Sequence, residues 1–95
     1  KSFAAYSASK AGLIGLTLWM SSFLAKNNIT VNAIAPGGVF NNHPKEFKSK
    51  LEEKIPLGRM AEPEDISNVL EFLISDKSNY INGQVINVDG GYSSR

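Results

Sequence analysis

Tyr6 and Lys10 are the two residues of this sequence whose types and spacing most directly suggest chemistry. Residues four positions apart on a helix lie on one face, about one turn from each other. At roughly 5 Å and an effective dielectric constant near 20, an ammonium group stabilises a phenolate by about 3 kcal/mol. Tyr6 would then be a stronger acid, suited to exchange a proton with an alcohol or carbonyl oxygen. Such a pair also occurs by chance, so the rest of the sequence must support this interpretation.

The pair lies near the start of a long predicted helix. Residues 3–26 contain no proline and are rich in alanine and leucine, which favour helices. Apolar side chains occupy more than one side of this helix, so we expect both sides to be covered. Lys26, Asn27 and Asn28 are predicted to end it, because asparagine tolerates the left-handed backbone that terminates many helices.

Two short strands and a second helix follow. Residues 29–34 are rich in β-branched side chains and are followed by a Pro-Gly-Gly turn, and residues 84–88 have a similar composition, so both segments are predicted strands. Pro63 is predicted to begin a helix in which apolar residues recur at the spacing of one helix face. These residues are Ile66, Val69, Leu70, Leu73 and Ile74. Strands joined through a helix are expected to be parallel, with a right-handed crossover.

Residues 39–58, between the first strand and the Pro63 helix, are rich in lysine and glutamate. Apolar residues recur there every four positions and predict a short helix with a narrow apolar stripe, which we expect to be mobile. Phe40, Phe47 and Leu51 either form a lid that faces a substrate or only pack this helix down. His43 has no neighbouring acid or base, so we do not count it as catalytic.

Composition excludes several classes of function. The 95 residues carry a net charge of +1, too small to indicate a nucleic-acid or lipid partner. The chain has no cysteine and a single histidine, so we expect no disulfide and no metal centre. Its longest uncharged run, residues 11–25, is shorter than the about 20 apolar residues of a membrane span. We therefore expect a cytoplasmic protein that binds neither nucleic acid nor membrane.

Four segments occur in a diagnostic order. They are YSASKAGL at 6–13, ITVNAIAPGGV at 29–39, PLGRMAEPEDI at 56–66 and NGQVINVDGG at 82–91. In this order and spacing the sequence resembles the C-terminal part of a short-chain dehydrogenase/reductase, over nearly the whole chain. The resemblance implies an α/β fold, in which residues 1–95 form the C-terminal portion of one Rossmann-type, doubly wound parallel sheet.

The resemblance also implies an activity. Tyr6 matches the residue that donates or accepts the substrate proton, and Lys10 matches the lysine that makes this tyrosine more acidic and holds the nicotinamide ribose. The implied reaction interconverts an alcohol and a ketone on a small or carrier-bound substrate, with NAD or NADP as cofactor.

A loop that covers the nicotinamide is implied next. Its residues are Pro36, Gly37, Gly38 and Val39, where glycine permits a close approach of backbone to cofactor. Asn41 stands where the family usually has a threonine near the cofactor, and asparagine can still donate and accept hydrogen bonds.

Other parts of the family's site are expected to precede Lys1. The family's catalytic serine lies about thirteen residues before the tyrosine, and the glycine-rich phosphate loop and the residue that selects NAD or NADP lie further upstream. We therefore expect the half of the domain that cradles the dinucleotide to lie outside these residues, and the 95 residues alone to be inactive.

Assembly is a further implication. Trp19, Met20 and Phe23 fall on the helix that forms a bundle between subunits in this family, which implies a homodimer or homotetramer. Arg59 and Asp89 lie in family signatures that mainly fix turns and subunit contacts. Two functions therefore stay open, namely an oxidoreductase, or an assembly module that keeps the subunit contact without catalysis.

Overall fold

A computed structural model describes residues 3–94 of the chain. The regular elements in chain order are α1 (Phe3–Leu24), β1 (Ala33–Pro36), α2 (Lys45–Glu53), α3 (Pro63–Leu73) and β2 (Val85–Val88), and short 3-10 turns follow α1, α3 and β2. The predicted α/β class and the predicted order of helices and strands are confirmed. None of the helices within the described range combines the length and hydrophobicity that a membrane span needs.

The first helix ends slightly earlier than predicted, because α1 stops at Leu24 and a 3-10 turn over Ala25–Asn27 leads to Asn28. Asn28 has left-handed backbone angles, φ 65° and ψ 34°, and its N–H donates to the carbonyl oxygen of Ala25 at 2.9 Å. The inner side of α1 carries small polar residues, since Thr17 and Ser21 are buried. The amide of Asn82 donates to the Ser21 carbonyl oxygen at 3.1 Å. The helix is thereby fixed to the segment just before β2.

The two strands are parallel, as expected, with Ala33 opposite Val85 and Pro36 opposite Val88. The predicted bounds of the first strand, residues 29–34, are wrong by two to four residues at its ends. Before Ala33, one backbone hydrogen bond remains, from the Gly83 N–H to the Val31 carbonyl oxygen at 2.8 Å. The Val31 N–H donates instead to the side chain of Asn82, at Oδ1, over 2.9 Å. Asn32 Oδ1 likewise accepts from the N–H of Gln84 at 3.0 Å, so the second strand begins one residue later than predicted.

The sheet has a helix on each face. Ala35 and Asn87, which are opposite each other, line a cavity together with residues of α1. Ile34, the neighbour of Ala35, lies instead beside Leu70 and Leu73 of α3. Because successive residues of a strand point to opposite faces, α1 covers one face and α3 the other. This layering is that of a partial Rossmann-type fold.

The predicted Pro63 helix is confirmed as α3, and the short lysine-rich helix as α2. At the start of α3, the Glu62 N–H donates to Asp65 Oδ2 at 2.7 Å, which satisfies one of the free amides of the first turn. The buried apolar side chains in the described range are few, namely those of Ala35, Ile55 and Met60. They lie where β1, the end of α2 and the segment before α3 meet.

Candidate active site

A cavity of about 360 Å³ lies between the carboxyl ends of the two strands and the start of α1. Its wall from α1 and the β1 loop consists of Tyr6, Lys10, Ala35, Pro36, Gly37 and Gly38. The rest of its lining consists of Leu51, Ile55, Asn87, Asp89, Tyr92 and Ser93. The volume lies within the range of small-molecule pockets, about 300–1,000 Å³. Five of the site residues indicated by the sequence therefore share one cavity.

The two residues of α1 supply the ionisable groups of this wall. Tyr6 and Lys10 are one helical turn apart, and both line the cavity. Tyr6 is 66% exposed, so its hydroxyl is accessible to a ligand, whereas Lys10 is half-buried. A phenol and an ammonium in one cavity can transfer a proton to an oxygen atom and bind hydroxyl oxygens beside it.

The loop after β1 is fixed from two sides. The Gly37 N–H donates to the Val88 carbonyl oxygen at 3.0 Å, which extends the pairing with β2 by one residue. The Gly38 carbonyl oxygen accepts from the N–H of Ala61 at 2.9 Å, and the Phe40 N–H donates to the Ala61 carbonyl oxygen at 2.8 Å. This backbone is therefore held in place rather than free to follow a ligand.

Protein neighbours fill the space beside both loop glycines, and at Gly37 the neighbour is a rigid part of Asp89. A Cβ atom on Gly37 would lie 2.7 Å from the Cβ of Asp89. A Cβ atom on Gly38 would lie 2.8 Å from Cδ2 of Leu51 and 3.4 Å from Cε of Met60. The absence of side chains here lets the β2 turn and α2 close on the loop.

Val39 and Asn41 do not line the cavity. Val39 pairs with Ala61 in an isolated parallel bridge. Asn41 is exposed, and its N–H donates to Nδ1 of His43 at 3.4 Å. The structure thus brings together the Tyr6–Lys10 pair and residues 36–38, and places these two residues further along the same loop.

The sequence left two alternatives for Phe40, Phe47 and Leu51, a lid that faces a substrate or packing of the short helix, and each alternative applies to some of these residues. Leu51 lines the cavity. Phe40 and Phe47 pack against the His43 ring, with centroid distances of 6.4 and 5.1 Å. Leu51 is therefore the lid-like residue, whereas the two phenylalanines pack the start of the helix.

Asn87, Asp89, Tyr92 and Ser93 also line the cavity, and sequence reasoning did not place them there. The signal was available for Asn87, because parallel strands end at the same edge of a sheet, and this residue lies opposite Ala35. Asp89 does fix its turn, as expected: its carboxylate accepts from the N–H groups of Gly91 and Ser93 at 3.0 and 3.1 Å. The hydrogen bond from Ser93 lowers the pKa of Asp89 below its ordinary value of 3.8.

Comparison with known proteins gives consistent matches. A family model described as enoyl-(acyl carrier protein) reductase matches residues 1–93. The chain is 47% identical over 90 residues to the 3-oxoacyl-(acyl-carrier-protein) reductase FabG of Aquifex aeolicus, covering 90% of this chain and 36% of that protein. It is 41% identical over 96 residues to the 2-dehydro-3-deoxy-D-gluconate 5-dehydrogenase of Escherichia coli, covering 95% of this chain and 38% of that protein. The chain thus spans little more than a third of the length of these relatives.

Solved structures match the fold as a whole. A short chain dehydrogenase family protein from Francisella tularensis superposes with a TM-score of 0.90 at 33% identity, covering 99% of this chain and 45% of that chain. A short chain dehydrogenase from Leptospira borgpetersenii, solved with bound NAD+, superposes with a TM-score of 0.85 at 40% identity, covering 93% of this chain and 35% of that chain.

Proposed function

This chain belongs to the short-chain dehydrogenase/reductase family, and from this premise we propose that it supplies the proton-transfer pair and the nicotinamide-facing wall of an NAD(P)-dependent oxidoreductase. The reaction interconverts an alcohol and a ketone. The observation that carries the proposal is that Tyr6, Lys10 and the loop residues 36–38 line one cavity. In the proposed domain, residues 1–95 form the C-terminal part, and the cradle for the rest of the dinucleotide comes from residues outside them.

Proton transfer is the task of α1 in this proposal. In the reducing direction the Tyr6 hydroxyl donates its proton to the carbonyl oxygen of the substrate, and in the oxidising direction the phenolate takes a proton from the alcohol. Lys10 stabilises the phenolate from one turn away and binds the hydroxyls of the nicotinamide ribose. The nicotinamide, when bound, supplies or accepts the hydride.

The residues of the cavity suit this cofactor in three respects. The cavity volume of about 360 Å³ is large enough for a nicotinamide ring. The ammonium of Lys10 can hold sugar hydroxyls, and residues 36–38 of the hydrogen-bonded loop after β1 form a wall of fixed position. Val39 and Asn41 follow on this loop, and we assign them to parts of NAD or NADP that extend beyond the cavity.

The substrate class is proposed from the relatives. Their names describe a 3-oxoacyl group on acyl carrier protein and a deoxy sugar acid, which are both carbonyl compounds whose reduction or formation is a two-electron step. We therefore propose a small or carrier-bound ketone. The wall made by Asn87, Tyr92 and Ser93 offers an amide and two hydroxyls to the polar part of such a substrate.

The outer side of α1 supports a proposal on assembly. Leu16, Trp19 and Phe23 are 54%, 61% and 53% exposed, and the Trp19 and Phe23 rings stack at a centroid distance of 5.0 Å. An apolar stripe of this kind suits a contact between subunits. We propose that the protein is a homodimer or homotetramer through this stripe.

One assay separates the oxidoreductase from the assembly module. The complete protein that contains these residues is mixed with NADH or NADPH and a panel of 3-oxoacyl thioesters and sugar ketones, and nicotinamide absorbance is followed. Ketone-dependent oxidation of one cofactor, with alcohol formed in equal amount, supports the proposal. An oligomer that binds neither cofactor and turns over none of the ketones supports the assembly module instead.

A further inference from the structure

Glu52, in the last turn of α2, makes a contact that the proposed chemistry does not use. Its Oε2 accepts a hydrogen bond from the backbone N–H of Met60 at 3.1 Å. Met60 is only 3% exposed, and a buried amide without an acceptor destabilises the fold. The carboxylate of Glu52 thus satisfies a buried amide in the segment before α3.

This hydrogen bond matters for the end of α2, because the ring contacts of the helix lie nearer its start, where Phe47 packs against His43 and Lys48 lies over the Phe40 ring. None of its residues is buried, so little apolar packing fixes its position. Lys48 lies one turn before Glu52, with its Nζ 4.0 Å from the same Oε2, and a partly solvated pair at this distance adds little. The carboxylate–amide hydrogen bond is the stronger of these two polar contacts.

The residue beside Glu52 faces the proposed active site. Leu51 lines the cavity, and its Cδ2 lies 2.8 Å from the point where a Cβ on Gly38 would be. Met60 Cε lies 3.4 Å from the same point. Ala61, next to Met60, donates its N–H to the Gly38 carbonyl oxygen at 2.9 Å. The end of α2 and residues 60–61 therefore converge on Gly38.

We propose that Glu52 is a positioning residue for the substrate site. By holding the Met60 amide, its carboxylate keeps α2 where Leu51 closes the cavity beside Gly38. This inference rests on the proposed oxidoreductase function, because the closed wall matters only if the cavity binds a ligand. Glu52 itself does not line the cavity, so it acts through Leu51 and not on the reacting atoms.

The test, made in the complete protein, separates the effect of the length of the Glu52 side chain from the effect of its charge. Glu52→Gln keeps an acceptor oxygen at the same reach without the charge, and we expect its KM for the ketone to stay within about twofold of the parent. Glu52→Asp keeps the charge but is one methylene shorter, and Glu52→Ala removes the acceptor. We expect both to raise KM about tenfold with kcat changed less than about twofold, the pattern of lost binding. Glu53→Ala is the matched control, because Glu53 is exposed and makes no side-chain hydrogen bond or ion pair within residues 3–94.

Two further measurements do not depend on turnover. In Glu52→Asp and Glu52→Ala, hydrogen exchange at the Met60 amide and tryptic cleavage after the α2 lysines are expected to accelerate about tenfold, while exchange in α3 stays unchanged. If the parent reduces no ketone, the proposed function fails, and these two measurements still report on the hydrogen bond. Parental exchange and cleavage in Glu52→Asp overturn the inference, as does an equal KM increase in Glu53→Ala. If Glu52→Ala does not fold, the comparison of Glu52→Gln with Glu52→Asp, by KM, hydrogen exchange and cleavage, decides whether the inference holds.

Discussion

Gly37 and Asp89 lie against each other so closely that the loop after β1 has no room for a side chain at this position. A Cβ on Gly37 would be 2.7 Å from the Cβ and 2.9 Å from the Cα of Asp89. The nearest atoms belong to backbone and to the first side-chain carbon, so no flexible group can move away. The carboxylate of Asp89 is also held by two backbone N–H groups. The carboxyl ends of the two strands are therefore packed together directly beneath the proposed nicotinamide site.

Gly37→Ala is expected to lower both stability and cofactor affinity. Overpacking of this kind costs about 1–3 kcal/mol, and any shift of the loop displaces a wall of the cavity. Urea unfolding and a fluorescence titration with reduced dinucleotide measure the two effects in the complete protein. Gly15→Ala is the control, since Gly15 lies inside α1 with no neighbour near its Cβ within the described residues. There we expect stabilisation of about 1 kcal/mol. An unchanged Gly37→Ala protein would contradict the packing argument.

Tyr6→Phe is expected to reduce turnover by at least about two orders of magnitude. The ring stays and only the hydroxyl is lost, so the affinity for reduced dinucleotide should remain within about threefold of the parent. Stopped-flow or steady-state nicotinamide absorbance provides the rate. Tyr80→Phe is the matched control, because Tyr80 is fully exposed and lies away from the cavity, beside the amino end of the sheet. Turnover close to that of the parent in Tyr6→Phe refutes the assigned proton transfer.

The helices could be predicted from the sequence because their signals are local. Pro63 and the apolar stripe after it mark α3, and Asn28 marks the end of the 3-10 turn that follows α1. In each case the relevant residues lie within a few turns of each other. The Tyr6–Lys10 pair could be predicted for the same reason, because both residues lie on one helix and their spacing alone places them on one face.

The bounds of β1 and half of the cavity could not be predicted, since they depend on contacts between distant segments. Asn82 supplies the hydrogen-bond acceptor for Val31, which no local pattern in either segment indicates. Leu51 joins the cavity because α2 folds back onto Gly38. Tyr92 joins it because the chain turns after β2. The family resemblance indicated which residues of α1 and the β1 loop belong together, but not which residues form the rest of the cavity lining.

A pH-dependent part of the stability is expected from Arg59 and Asp65. Arg59 donates hydrogen bonds to the Asp65 carboxylate at 2.8 and 3.4 Å, and this lowers the pKa of Asp65 below its ordinary value of 3.8. A carboxyl group with a lower pKa in the folded state stabilises the fold above its unfolded-state pKa, and this stabilisation is lost as the pH falls through the folded-state value. The contribution should thus be complete at neutral pH and absent below the lowered pKa.

Asp65→Asn in the complete protein measures this contribution. At pH 7 the variant should unfold at a lower urea concentration than the parent, and the difference should shrink as the pH falls below about 4. Asp76→Asn serves as the control, because the Asp76 side chain is exposed and makes no hydrogen bond or ion pair within the described part of the chain. A difference between Asp65→Asn and the parent that stays constant from pH 7 to acid would argue against the ion-paired carboxylate as its source.

The 95 residues produced alone are expected to bind neither NADH nor NADPH and not to form a stable monomer. Only three apolar side chains are buried within residues 4–94, and the radius of gyration of 15.5 Å exceeds the about 12 Å of a compact domain of this length. The apolar stripe of α1 is exposed, and β1 has β2 as its only strand neighbour in the described sheet, so association is favoured. Light scattering, hydrogen exchange and a fluorescence titration with both cofactors are the measurements. A monomer of 10.3 kDa with protected amides in α1, β1 and α3 would show that these residues need no further chain to fold.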